Sequence, residues 1–230
     1  MAGGITTNVI FVAVVAGIVP TILWLLFWLR EDRFQPEPIG LLILTFIAGA
    51  FGVFLVFPLE AVVLNAGIVG TQKLLIFAAA EELIKFGIVF IIDFQSSYLD
   101  EPIDYAVYLI TGALGFATVE NVLFLLSPEV QTNISFVLET GILRFIGATI
   151  LHTILAAILG IIIGFVFYKS KLTKALFIIF GLGITIILHT IFNYFIIKYI
   201  ELNGFLTLGA LWVATLIIIT LFEKVRNVNH

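Results

Sequence analysis

Runs of roughly 20 apolar residues recur along this chain, broken by short segments that hold most of its charges, and that repeat limits what it can become. A helix of about that length crosses a bilayer core of roughly 30 Å, and within the core each backbone polar group must be satisfied inside the segment itself. Of the 230 residues, 62% are apolar and 11% charged, too few charges to clothe a soluble domain of this size. The expected fold is therefore all-α, a polytopic transmembrane helix bundle of about seven spans. The whole chain, 1–230, reads as a single transmembrane domain with no room for a separate soluble one.

Hydropathy, charge and proline place the spans at approximately Val9 to Leu29, Ile39 to Leu59, Lys73 to Ile92, Ile103 to Leu126, Ile142 to Tyr168, Leu172 to Ile197 and Phe205 to Phe222. Pro36, Pro38, Pro102 and Pro128 fall in the connections, where a missing N–H matters least. No Lys or Arg precedes the first run, so that run reads as a retained span rather than a cleaved signal. Arg30, Arg33, Lys169, Lys171, Lys174, Lys224 and Arg226 gather on one side of the bundle. The positive-inside rule then puts the N-terminus outside and the C-terminus in the cytoplasm. Trp24 and Trp28, near the inner end of the first span, are expected in an interfacial aromatic belt. There is no cysteine, which excludes disulfides and thiolate chemistry. With a net charge of −4 and no basic patch, nucleic acid is not an expected partner; the lipid bilayer is.

Against this background Glu81, Glu82, Lys85, Glu120, Asn121, His152, His189 and Asn193 stand out, because each lies within a span. One charged side chain at the bilayer centre costs about 2.5–3.5 kcal/mol on insertion scales, so the group is tolerable only if its members face inward and satisfy one another. Helical spacing agrees: residues four apart share a face, which aligns Glu81 with Lys85, and His189 with Asn193. Glu120 and His152 each share a face with small residues that let helices approach. Counted from the outer end of each span, Glu81, Glu120, His152 and His189 all lie roughly 10–16 Å deep at about 1.5 Å per residue. Four titratable groups from four helices can thus meet in one layer of the outer half.

Such a layer suits water activation. A carboxylate in apolar surroundings can serve as general base, and His189 with Asn193 could donate to an oxyanion. Alternatively Glu120, His152 and His189 could hold a zinc ion with one open position, leaving Glu81 as base and Lys85 to balance Glu81 and Glu82. Asn121 reads as a helix–helix hydrogen bond, and Arg144, near an outer helix end, as a snorkelling charge in preference to a substrate-positioning one.

These residues lie in motifs that resemble the PrsW-type intramembrane proteases, distant relatives of the CAAX-prenyl-protease and bacteriocin-processing membrane proteins. Glu81-Glu82-Leu83-Ile84-Lys85 matches an E-E-x-x-K motif and Gly115-Phe116-Ala117-Thr118-Val119-Glu120-Asn121 a G-F-A-x-x-E-N motif. His152 and the pair His189 and Asn193 follow in later spans, and Asp32-Arg33-Phe34-Gln35-Pro36-Glu37-Pro38 resembles the family's D-R-x-x-P-E-P run. The resemblance implies an intramembrane endopeptidase of the cell membrane that cuts membrane-anchored proteins, anti-sigma factors among them. It also implies that Glu81 and Glu82 are catalytic, with Glu120, His152 and His189 completing the site. Tyr105 stands where the family usually has Gly, and the CAAX relatives carry His at the position of Glu120. Two other classes use buried Glu and His: a proton-coupled transporter, which would relay protons through them, and a seven-span receptor.

Overall fold

The structure, a computed structural model, describes residues 7–31, 35–131 and 133–226, with the side chains of 31 and 199–207 left aside. Asp32, Arg33 and Phe34 of the D-R-x-x-P-E-P run lie outside the described residues. The described chain is helical throughout, with no strand: α1 (Thr7–Glu31), α2 (Ile39–Asn65), α3 (Gly70–Ile92), α4 (Asp104–Leu125), α5 (Ile134–Arg144), α6 (Ile150–Gly164) and α7 (Lys171–Arg226). A π-helical turn, Phe145–Thr149, joins α5 to α6 in one rod. Asn133 caps α5 by accepting a hydrogen bond from the Phe136 N–H.

A straight helix as long as α7, 56 residues, would reach about 84 Å, nearly three bilayer cores. It does not run straight. Gly147 lies against both Phe192 and Leu208, whereas Gly164, at the far end of α6, lies against Val225. The chain therefore turns back between two membrane-length arms, Lys171–Lys198 and Leu208–Arg226. Among the described residues six helical stretches are long and apolar enough to cross a membrane. The third expected span, α3, is 23 residues long but carries Lys73, Glu81, Glu82 and Lys85, too much charge for a test on composition alone. Its packing supplies what composition withholds. Glu82 near its middle reaches His189 of α7, and Asp93 at its end meets Thr45 at the start of α2.

At the centre stands α4, buried along most of its length and in contact with α1, α2, α3 and α6. The sequence permits this because glycine lets backbones touch. A Cβ at Gly115 would come within 2.0 Å of the Phe46 carbonyl oxygen, and one at Gly49 within 2.1 Å of the Gly112 carbonyl oxygen. Gly160 of α6 closes on Ala106 in the same way. In a bilayer, where burial of apolar surface does not separate protein from lipid, such close van der Waals contact drives association. Large side chains are turned outward instead, among them Phe11, Phe51, Ile91, Leu172 and Leu216.

The expected aromatic belt is corrected here. Trp28 is 1% exposed and packs on Phe222, and Trp24 packs on Trp212. Their rings seal α1 against the second arm of α7 rather than sitting among headgroups. At the same end of the bundle three carboxylates are buried. Tyr108 donates to Glu37, Thr45 donates to Asp93 at 2.7 Å, and Asp104 accepts from the Asp100 and Glu101 N–H groups. Burial, with Glu37 nearby, pushes Asp93 from 3.8 up to about 7, against the pull of the Thr45 hydrogen bond.

Two outcomes follow. Gly115→Ala should destabilise the protein by about 1–3 kcal/mol, while Gly183→Ala, whose Cβ meets nothing within 4 Å, should be neutral or mildly stabilising. Thermal unfolding in detergent compares them. Because folding raises the Asp93 pKa, the native state holds its proton longer than the unfolded chain, so stability falls as pH rises from about 4 to 7. Asp93→Asn should flatten that slope in melts recorded across the same window.

Candidate functional site

The expected layer exists, and a chain of hydrogen bonds joins it across α3, α4, α6 and α7. One oxygen of Glu82, Oε1, accepts from Lys85 Nζ at 2.5 Å and pairs with His189 Nδ1 at 2.8 Å. Lys85 Nζ also lies 2.9 Å from His152 Nδ1. A lysine has only protons to give, so Nδ1 accepts, and the ring proton sits on Nε2, which donates to Glu120 Oε2 at 2.8 Å. The other Glu120 oxygen accepts from Arg144 Nη2 at 2.8 Å. Lys85 thus bonds directly to Glu82 and His152 and not to Glu81, and the two histidine rings meet edge to face.

Glu81 is the exception in this network. Its Oε2 is buried, has no hydrogen-bond partner, and lies 3.8 Å from His189 Nε2. Since Nδ1 of His189 donates to Glu82, Nε2 carries the lone pair when the ring is neutral, the form that can bind a metal. In that form a carboxylate oxygen and an imidazole nitrogen face each other across a gap too wide for a hydrogen bond. Donor atoms of Glu81, His152 and His189 all come within 4.8 Å of one another. The structure gathers Glu81, rather than Glu120, with the two histidines, because Glu120 is drawn toward Arg144.

This set fits a metal ion. The orphaned Glu81 oxygen wants a partner, and each histidine has one nitrogen bonded to a glutamate, Glu82 for His189 and Glu120 for His152. Carboxylates placed so orient ligating histidines. To offer Nδ1, His152 must be released by Lys85, which has Glu82 at 2.5 Å to turn to.

Two cavities meet at this layer. One, about 240 Å³, is lined by Glu81, Glu120, Arg144, His152, His189 and Asn193 among apolar residues of α5 to α7. The other, about 270 Å³, lies between α2, α3 and α4 and again includes Glu81 and Glu120 in its wall. A bundle interior lined by paired acids and imidazoles and open on both sides is a place where water and a polymer backbone can be brought together.

A family model described as PrsW family intramembrane metalloprotease matches residues 37–222. The chain belongs to the PrsW family. It is an intramembrane protease, a multi-pass integral membrane protein, and not the transporter that the buried Glu and His groups would also have suited. Among its relatives is Protease PrsW of Geobacillus kaustophilus (strain HTA426), 33% identical over 70% of this chain and 68% of the relative. The proteins of the same name from Bacillus subtilis (strain 168) and Clostridioides difficile (strain 630) are 25% and 28% identical, over 80% and 89% of this chain and 82% and 87% of theirs. No solved structure matches it.

Within this PrsW protein, Arg144 departs from the snorkelling role expected of it. It turns inward, stacks over Phe124 with its guanidinium 4.4 Å from the ring centre, and donates through Nε to Asn121 at 2.6 Å. Asn121 in turn donates to Thr149 at 2.9 Å, the helix–helix bond expected of it. The π-turn begins one residue after Arg144 and ends at Thr149, and such turns, which widen a helix by one residue, cluster at functional sites. No motif spacing signals a π-turn, so spacing alone does not reveal that Arg144 turns inward. Asn193 lines the first cavity and makes no side-chain hydrogen bond among the described residues.

Arg144→Gln should lower proteolytic activity about 10- to 100-fold by letting Glu120 drift, with little change in melting temperature. Arg144→Lys should restore only part of it, since an ammonium cannot span Glu120 and Asn121 together. Cleavage rates and thermal melts of both variants check this.

Proposed function

We propose that Glu81, His152 and His189 are the metal-holding set and that Glu120 is the base that activates water in peptide-bond hydrolysis. The observation that carries it is the buried, partnerless Oε2 of Glu81 facing His189 Nε2. Zinc suits two imidazoles and a carboxylate with one position left open, and when bound there it supplies Lewis-acid polarisation of the scissile carbonyl and a more acidic water.

The chain's own groups do the rest. Glu120 borders both cavities, and beyond the hydrogen bonds from Arg144 and His152 its oxygens keep lone pairs for a water proton. As water attacks the carbonyl carbon, Glu120 takes its proton and later returns it to the departing amine. Arg144 holds the carboxylate at the cavity wall through both steps. Asn193, with amide protons unspent, donates to the oxygen that gains charge. Glu82 and Lys85 touch no reacting atom; Glu82 holds the His189 ring through Nδ1, Glu120 holds the His152 ring through Nε2, and Lys85, once it frees His152 Nδ1, stays paired with Glu82.

With the N-terminus outside, this layer lies in the outer half of the membrane, so the bond cut is one near the external face of a membrane-anchored protein. Anti-sigma factors are the substrate class that the family resemblance suggests.

A carboxylate oxygen closed on an ion cannot take a proton at the same moment, which gives Glu81 and Glu120 separable signatures. Glu81→Gln should lose both metal and cleavage. Glu120→Gln should keep the metal and lose cleavage by about 100-fold or more. Elemental analysis of purified variants beside a cleavage assay decides, and metal retained in Glu81→Gln would reject the assignment.

A further inference from the structure

The second cavity holds a carboxylate that the mechanism does not use. Glu60, two residues after Pro58 near the end of α2, lines this cavity among Val53, Val56, Phe57, Phe116 and Leu123. It is half-buried and has no hydrogen bond or ion pair among the described residues. An acid left partnerless in an apolar hollow is costly unless something bound there completes it.

Its position says what that is. Glu81, Glu120 and Phe124 line both cavities, so the catalytic carboxylates form a partition between two chambers. An extended peptide rises about 3.3 Å per residue, and a chain whose scissile bond sits at Glu120 must place the side chains on one flank in the second cavity. The two chambers are not alike in charge. The first presents Arg144 and Asn193, and among the described residues the second presents Glu60 as its one polar side chain beyond the shared pair.

Resting on the protease reading above, we propose that the second cavity is a substrate subsite in which Glu60 selects a basic residue, Lys or Arg, close to the scissile bond. The apolar walls take the aliphatic stem of that side chain and Glu60 its charged head. In such a desolvated pocket the pairing favours a basic residue and rejects an acidic one by like-charge repulsion.

The test uses the full chain in liposomes and a panel of single-span proteins in which Lys, Ala or Glu is placed in turn at each residue of the outer juxtamembrane segment. Wild-type protein should cleave one Lys-bearing member with a kcat/KM about 10- to 100-fold above its Glu-bearing counterpart. Glu60→Gln should erase that ratio and Glu60→Lys invert it. A ratio near one in wild type, or one that both variants leave unchanged, overturns the proposal. Affinities of the same Lys and Glu pairs for the Glu120→Gln protein, with and without Glu60→Lys, give a reading independent of catalysis. Charge-selective binding that inverts with Glu60→Lys supports the subsite even if no panel member is cut. That result with cleavage intact in Glu120→Gln would sink the catalytic assignment and leave the subsite standing.

Discussion

A single carboxylate oxygen anchors this site. Glu82 Oε1 takes hydrogen bonds from Lys85 on its own helix and from His189 on α7, and through Lys85 it sets the tautomer of His152 on α6. Ionisable groups at this depth are costly in lipid, and breaking one member of a buried network leaves the others uncompensated. The same bonds that make the charges tolerable therefore also fix the geometry of the chemistry. Glu82 is tied twice through Oε1, while its neighbour Glu81 keeps Oε2 buried without a partner.

That network can form only because the helices stand close. The glycines at 49, 112, 115 and 160 bring α2 and α6 against α4, and the polar layer lies a few turns along the same interfaces. Close backbone contact and interhelical hydrogen bonds both drive association in a bilayer, and this bundle uses both along α4. The tight glycine and alanine contacts of α4 fall at Ala106, Gly112 and Gly115, and the polar layer follows at Glu120.

Much of this was legible in the amino-acid order, for physical reasons that also mark where legibility stops. The bilayer thickness writes itself into apolar run length, so the six stretches long and apolar enough to cross could be read, and α3 could be read as a helix despite its charges. Rise per residue writes depth, so the meeting of Glu81, Glu120, His152 and His189 could be read as well. Azimuth is different. Helical spacing says which residues share a face but not which neighbouring helix that face meets, so whether Glu81 or Glu120 joins the two histidines was open until α4 and α6 were in place. Trp24 and Trp28 failed for a related reason: a tryptophan near a span's end suits an interface or a helix contact equally, and the second arm of α7 decided it. Arg144 failed because snorkelling is always available near a helix end, while the π-turn that brings its helix into the site leaves no periodic trace.

Hydrolysis inside a membrane needs water and peptide together where neither is stable. The two cavities answer this by position. Because Glu81 and Glu120 form the partition between chambers rather than the floor of one, a peptide has room to lie across them with space on either side for water at the polar wall. The partition also explains why Glu120 is tied by Arg144 from one side and His152 from another. A wall residue without such ties would swing into either chamber, and a carboxylate that swings cannot hold a water at a fixed angle to a carbonyl. The π-turn, Arg144 and Asn121 are then best understood as parts of one brace, which keeps the partition upright where α4 meets the α5–α6 rod.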